Sequence, residues 1–382
     1  MGEEITLLLE VVLLCAICTG FSLYYLIHLA NRHNLLTNTN ERTSHSGKVP
    51  SIGGMAFFIN FLIAMGVTQF FGDTSVGWPL LASATVIVCV GIWDDLRDLS
   101  ILKKLPFQVL AIVAVLLWSP LKLETLHGFL YVDQISPWLS YPLSALLVLF
   151  FMQAYNLIDG IDGHAASIGI VIFGCFGTLF WMMQDYLFLT ISAVLVAGLV
   201  VYLWYNFSNI YKIFMGDTGT LLIGFFIGFS LLRIFSYSPG TIEQLPFDGR
   251  FLPVLLSAVL FVPTFDVIRV MIVRRRERKP VLSPDRNHVH HVLTDAGLSH
   301  RRASFLSASF SLSFILIVFL IIQSQSIVLL SFAAVLFILL VNLILLRLNG
   351  SFRARRMKVA MRKPVQKYSR LFKALGLYNF FV

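Results

Sequence analysis

Charge is scarce in this sequence. Only 13% of its 382 residues are Asp, Glu, Lys or Arg, where a soluble globular chain carries about 25%, so a water-soluble domain with a charged surface is excluded. Cysteine is scarce too. Cys15, Cys18, Cys89 and Cys175 all fall inside apolar runs, which makes them small apolar residues and not a disulfide framework. Cys15 and Cys18 have a redox or zinc spacing, yet within lipid they read as packing residues. No basic segment precedes the first apolar run and no A-x-A-like cleavage site follows it. That run is also too long for a signal-peptide core, so it is expected to remain in the mature protein. The stretch from Arg347 onward has no acidic residue at all, although it holds ten lysines and arginines.

What the chain has in abundance is apolar length. Hydrophobic residues make up 57% of it, and 34 residues are phenylalanine. An α-helix needs about 20 apolar residues to cross the hydrocarbon core. Reading for such stretches predicts an all-α polytopic membrane protein with about eleven spans, at 5–29, 51–71, 78–93, 105–121, 138–156, 164–183, 187–205, 219–237, 251–273, 304–322 and 326–346. One transmembrane catalytic domain, residues 1–346, would then be followed by a basic tail, 347–382.

Lysine and arginine set the expected orientation. Twenty-five of the 29 fall in the loops at 30–50, 94–104, 157–163, 206–218 and 274–303 and in the tail. The alternate loops hold only Lys122 and Arg250, with Arg233 and Arg269 near helix ends. The first set is therefore expected on the cytoplasmic side, with the N-terminus outside and the C-terminus inside. The acid-free tail suits anionic membrane lipids; no nucleic-acid-binding pattern accompanies it.

Four polar clusters fall on that same expected face. GIWDDLRDLS carries Asp94, Asp95 and Asp98; NLIDGIDGH carries Asn156, Asp159 and Asp162; NIYKIFMGDTGT carries Lys212 and Asp217. The loop RRRERKPVLSPDRNHVHHVL carries Asp285, Arg286, His288, His290 and His291. An Asp at the centre of a membrane helix costs roughly 2.5–3.5 kcal/mol, so these acids must face water, a cavity or a cation. Each cluster has a bland alternative taken singly: an interfacial anchor at DDLRD, two capped turns at DGIDG, a simple helix start at GDTG, a surface or zinc-binding tract at HVHH. Gathered on one face, they point to a functional site. Carboxylates without cysteine nearby favour a hard cation such as Mg²⁺, and a Gly-Asp-Thr-Gly helix start can present amides to phosphate.

DDLRD, NLIDGIDG, FMGDTG and PDRNHVHH, in this order, resemble the polyprenyl-phosphate N-acetylhexosamine-1-phosphate transferase superfamily (glycosyltransferase family 4), in its bacterial WecA/TagO-like branch. SGKVPSIGG, near residue 44, is similar to that family's K-x-P-x-x-GG segment, and the likeness runs to about residue 293. The resemblance implies transfer of a sugar-1-phosphate, most simply GlcNAc-1-phosphate, from a UDP-N-acetylhexosamine to undecaprenyl phosphate in the bacterial inner membrane. UMP would be released, and assembly of a cell-surface polysaccharide would begin. It also implies a requirement for Mg²⁺ or Mn²⁺. Carried onto this chain, Asn156 and Asp217 would hold the metal, and Asp94, Asp95, Asp159 and Asp162 would be catalytic. Arg286, His288, His290 and His291 would hold the donor, with Lys48 and Lys104 as phosphate contacts.

Two departures from the family pattern matter. The loop reads HVHH, whereas the MurNAc-pentapeptide branch shows three consecutive histidines, so a donor without a peptide is expected. UDP-GalNAc, a UDP-6-deoxy-amino sugar and UDP-MurNAc-pentapeptide remain alternatives. Position 164 is histidine where the family has an apolar residue; His164 is either an extra donor contact or an interfacial histidine. A transporter is the alternative from another class, but its site would lie near the membrane midplane and often within internal repeats. Oligomeric state is open, a homodimer included.

Overall fold

The computed structural model describes residues 2–33, 49–68, 75–278, 280, 287–326 and 328–348. Lys48, Arg286 and nearly all of the basic tail lie outside the described residues. The described chain is helical throughout, with no β-strand among these residues. Its helices are α1 (Gly2–His33), α2 (Met55–Thr68), α3 (Gly77–Arg97), α4 (Ile101–Trp118), α5 (Pro137–Ile158), α6 (His164–Met182) and α7 (Tyr186–Asn206). They continue with α8 (Gly216–Phe235), the single turn α9 (Pro239–Ile242), α10 (Leu252–Val259), α11 (Phe261–Arg276), α12 (Val289–Asp295), α13 (His300–Ile322) and α14 (Val328–Leu348).

Every expected span meets a helix, but two do so imperfectly. Nine helices among the described residues are long and apolar enough to cross a membrane. The expected span at 251–273 is broken: the helical segments Gly249–Val259 and Phe261–Arg276 meet at 67°. Pro263 supplies the cause, because it has no N–H to donate and its ring clashes with the carbonyl four residues back, on Val259. The expected span at 51–71 is helical over the 14 described residues of α2, Met55–Thr68, and its last three positions lie outside the described residues. At 1.5 Å per residue the described part measures about 21 Å, against roughly 30 Å for the hydrocarbon core.

The bundle is built around α8, of which 94% of the most apolar window is buried, against 17% for α1 and 22% for α14. Its main neighbours are α5, α3, α2 and α6. Close contact with α5 rests on glycines four apart. A Cβ at Gly224 would sit 2.5 Å from Met152 Cα, and one at Gly228 would sit 2.7 Å from Val148 Cα. In lipid, where apolar burial gives helices no reason to pair, such small residues allow the backbone approach on which packing depends.

The two ends of α8 differ. At its C-terminal end, Asp185 accepts the Phe188 amide that begins α7 at 3.1 Å, Arg233 Nε at 2.6 Å and the Tyr237 hydroxyl at 2.6 Å. Charge there is matched by charge or by a hydroxyl. The N-terminal end of α8 gathers acids from the end of α3, from the loop after α5 and from its own first turn.

Candidate active site

The start of α8 is held in place from two sides. Phe214 N–H donates to Pro50 O at 2.8 Å, while Gly53 and Gly54 donate to Phe214 O and Met215 O at 3.0 and 2.9 Å. The segment SGKVPSIGG therefore runs beside GDTG, although its Lys48 falls outside the described residues. Gly216 takes a left-handed φ of 71°, and a Cβ there would lie 1.8 Å from Ser51 O. Only glycine satisfies both conditions.

From the other side comes Asp95, at the last turn of α3. Its Oδ1 accepts Asp217 N–H at 2.7 Å, and its Oδ2 accepts Thr218 N–H at 3.1 Å and the Thr218 hydroxyl at 2.6 Å. The first amides of a helix have no partner within it, and a carboxylate is the acceptor best suited to them. Both Asp95 oxygens are thereby engaged beneath Asp217.

Asp217 points its own carboxylate into a cleft between helices. Lys104 Nζ on α4 lies 2.5 Å from Asp217 Oδ2 and 2.5 Å from Asp94 Oδ2 on α3. Asn156 Nδ2 on α5 donates to Asp217 Oδ1 at 2.9 Å and to Thr220 Oγ1 at 2.8 Å. Asp94 Oδ1 accepts Leu99 N–H at 2.6 Å, which ties the carboxylate to the chain just past the end of α3. Four helices thus contribute one connected chain, Asp94–Lys104–Asp217–Asn156.

The loop Asp159–Gly163 joins this chain to a second group. Asn206, the last residue of α7, accepts Gly163 N–H at 2.6 Å and donates to Ile213 O at 2.9 Å, stapling the loop to the approach to α8. Asp162 receives Lys212 Nζ at 2.6 Å, and His300 Nδ1 of α13 lies 3.3 Å from the same oxygen. Asp159 has no donor among the described residues. Burial, and then the charges of Asp217 and Asp162, push its carboxyl up to about 7.

The histidines close the cleft from the side of α12. His290 lies over Gly160 so closely that a Cβ at that position would be 2.1 Å from its Nε2. Its ring is 4.3 Å from that of His291 and 5.2 Å from that of His164, centroid to centroid. Both His290 nitrogens are buried without a partner among the described residues, and burial drives the ring well below the usual histidine range, toward the neutral form. His288 Nδ1 is 2.7 Å from Asp266 Oδ2 on α11. His164 is fully buried, with Nδ1 2.7 Å from Ile158 O across the DGIDG loop, so its ring packs inside the protein and not on its outer surface.

Most of the expected site residues converge. Asp94, Lys104, Asn156 and Asp217 touch in one chain; Asp95 lies beneath; Asp159 and Asp162 flank; and His288, His290 and His291 stand on the far wall. Arg286 is outside the described residues. Five participants were not among the expected site residues: Thr218, Asn206, Lys212, Asp266 and His300.

The fold and the cleft together define a polytopic helical membrane protein with a charged, oxygen-rich site at one end of its bundle. Residues 78–235 match the family described as Glycosyl transferase family 4, and the chain belongs to that family. It is 31% identical over 264 residues to the probable undecaprenyl-phosphate N-acetylglucosaminyl 1-phosphate transferase of Bacillus subtilis (strain 168), covering 69% of this chain and 70% of the relative. To the decaprenyl-phosphate N-acetylglucosaminephosphotransferase of Mycolicibacterium smegmatis it is 32% identical over 322 residues, 77% of each chain. To the undecaprenyl-phosphate alpha-N-acetylglucosaminyl 1-phosphate transferase of Escherichia coli (strain K12) it is 26% identical over 293 residues, 75% of this chain and 77% of the relative.

Proposed function

We propose that the protein transfers GlcNAc-1-phosphate from UDP-GlcNAc to undecaprenyl phosphate, releasing UMP and starting assembly of a cell-surface polysaccharide. The relatives named for this transfer support it. The structural observation that carries it is the Asp94–Lys104–Asp217–Asn156 chain, in which a lysine and acids from separate helices meet at one end of the bundle. A site for joining two anions needs this mixture of positive charge and metal-seeking oxygens.

The oxygens present suit Mg²⁺. The Asp217 carboxylate and the side-chain oxygen of Asn156, whose Nδ2 faces Asp217, are hard donors. Mg²⁺ is characteristically held by one or two carboxylates plus phosphate oxygens and water. When bound, the ion neutralises diphosphate charge and stabilises the departing UMP. The orphaned Asp159 carboxyl beside Asp217 also fits a cationic neighbour.

The remaining work falls to this chain's residues. Lys104 offers its ammonium to phosphate while holding Asp94 and Asp217 in one geometry. Asp95 serves by fixing the amides on either side of Asp217. His288, His290 and His291 line the side on which a nucleotide diphosphate would lie. An acceptor monoester with a second pKa of about 6, like that of phosphorylated side chains, is mostly a dianion at pH 7. Attack of its oxygen on the donor β-phosphorus then needs alignment more than deprotonation; the bond broken joins the β-phosphorus to the oxygen of the leaving UMP.

The excess of lysine and arginine in one set of loops supports an N-terminus outside, eleven crossings with α2 and the α10–α11 pair counted, and a site facing the cytoplasm across a bacterial inner membrane. The direct test uses the purified protein in detergent with Mg²⁺, radiolabelled UDP-GlcNAc and undecaprenyl phosphate. Labelled lipid and UMP are expected. Their absence, with transfer from UDP-GalNAc or another UDP-sugar in a parallel panel, would reassign the donor; no transfer from any donor would overturn the function.

A further inference from the structure

The cleft contains a carboxylate that the proposed chemistry does not use. Asp266 lies on α11, with Arg269 one turn further along, and is completely buried. A buried carboxylate is retained only where its oxygens are met. Oδ2 is 2.7 Å from His288 Nδ1, and Oδ1 accepts Val289 N–H at 2.7 Å. Arg269 donates to Asn287 O. Helix α11 therefore grips the entry of the histidine segment at three consecutive residues, Asn287, His288 and Val289.

We infer that Asp266 is a positioning residue for His288: it holds the proton on Nδ1 and so presents Nε2 to the donor's nucleotide diphosphate. The inference rests on the transferase function proposed above. A neutral imidazole carries one proton shared between two nitrogens, and the partner of one nitrogen decides what the other can do. A buried carboxylate accepting from Nδ1 fixes both tautomer and ring angle, and its replacement by an amide reverses the tautomer with little change in shape. His288 Nε2 has no partner among the described residues, and His288 is 6% exposed. The ring is thus anchored at one nitrogen and available at the other. A cap for α12 alone would require only Oδ1, which serves Val289; the bond from Oδ2 acts on the histidine.

Two measurements test this. In the transfer assay, Asp266→Asn keeps an oxygen for Val289 N–H but turns a donor toward Nδ1. It is expected to raise the donor KM by about tenfold or more, the size of effect that follows loss of an outer partner of a metal-bound histidine, with the acceptor KM unchanged. In a His288→Gln background the same substitution should then change the donor KM by less than about twofold, because residues acting through one another are not additive. An undiminished effect in that background, or equal shifts in both KM values, would assign Asp266 to the fold alone. The second readout needs no turnover. In ¹⁵N-histidine-labelled protein, with the His288 signals identified by their loss in His288→Gln, the wild-type ring is expected to carry its proton on Nδ1. A wild-type His288 protonated only on Nε2 would overturn the inference even if transfer is confirmed. A wild type that transfers no sugar phosphate would instead defeat the proposed function and leave the ring assignment to decide the positioning.

Discussion

The carboxylate of Asp95 is bonded to the backbone of Asp217, not to its side chain: Oδ1 accepts the Asp217 amide at 2.7 Å. Two acids separated by more than a hundred positions thus have unlike tasks, one setting the start of α8 and the other facing the cleft. Asp95→Ala would strand the Asp217 amide and both the amide and hydroxyl of Thr218. Each unmet buried donor costs about 1–3 kcal/mol, so a clear fall in melting temperature is expected along with lost turnover. Asp217→Asn should abolish transfer with a much smaller change in melting. Thermal unfolding in detergent beside the transfer assay separates the two; equal melting losses would contradict the division of labour.

Lys104 is expected to be the least replaceable cation of the cleft. It neutralises Asp94 and Asp217 together, and its removal would leave two carboxylates facing each other. Lys104→Gln should cut kcat by at least about tenfold, in line with losing one electrostatic partner of a developing charge. Lys104→Arg should recover little, because a planar guanidinium does not reproduce a compact ammonium between two acids. Steady-state kinetics of both variants provide the check.

Gly160 tests the approach of the histidine segment to the loop. A Cβ there would meet the His290 ring at its nitrogen and carbon edge, so Gly160→Ala must move either the ring or the loop. Displacement of binding groups by about 1 Å can cost about 100-fold in rate. A loss of that order is expected, with melting nearly unchanged because nothing in the apolar bundle is touched. Full activity in Gly160→Ala would show that His290 has room to spare.

Asp159 gives the stability of the cation-free protein a pH dependence with a definite sign. Its carboxyl titrates near 7 in the folded chain, against 3.8 for an ordinary Asp. Between those values the folded state keeps a proton that the unfolded chain has released, so stability is lost as pH rises from about 4 through about 7. Melting curves collected without divalent cation from pH 5 to 8 should fall for the wild type and fall less steeply for Asp159→Asn. Parallel curves for the two proteins would contradict it.

Chelation should stop transfer, and Mg²⁺ or Mn²⁺ should restore it. Asn156→Ala and Asp217→Ala are each expected to raise the Mg²⁺ concentration needed for half-maximal rate, where any rate survives, because each removes one oxygen from a sparse set. An unchanged Mg²⁺ requirement in Asn156→Ala would exclude its amide as a metal ligand.

Much of this site could be read from the chain because its chemistry is local. Asp94, Asn156 and Asp217 sit in short polar interruptions of long apolar runs, and an acid beside lipid signals a function through its cost alone. The role of Asp95 was less legible: adjacent to Asp94, it appears equivalent in sequence, and only the approach of α8 from far along the chain separates them. Asp266 carried a usable signal, being an acid within the expected span at 251–273. Lys212 was visible as the cation of the NIYKIFMGDTGT cluster, but its pairing with Asp162 was not, and Asn206 carried no signal beyond polarity at a helix end, since both roles depend on the loop packed against them. The spans were legible from hydropathy, but the bend before α11 was hidden in a continuous apolar run whose Pro263 a membrane helix could also have tolerated. His164 was ambiguous because a buried histidine and an interfacial one occupy the same sequence position.

The enclosure of α8 has a consequence for how the chain is made. All its main neighbours, α2, α3, α5 and α6, come earlier in the chain. As synthesis proceeds from the N-terminus, the helix that bears Asp217 emerges into a membrane that already contains the walls of its slot. It can dock on arrival, without waiting for the later helices. The histidine segment, carried by α12 and backed by α11, follows only after that. The protein therefore completes the carboxylate and lysine part of its cleft before the histidine part exists, and a chain halted after α8 would possess the carboxylates without the histidines proposed to receive the nucleotide.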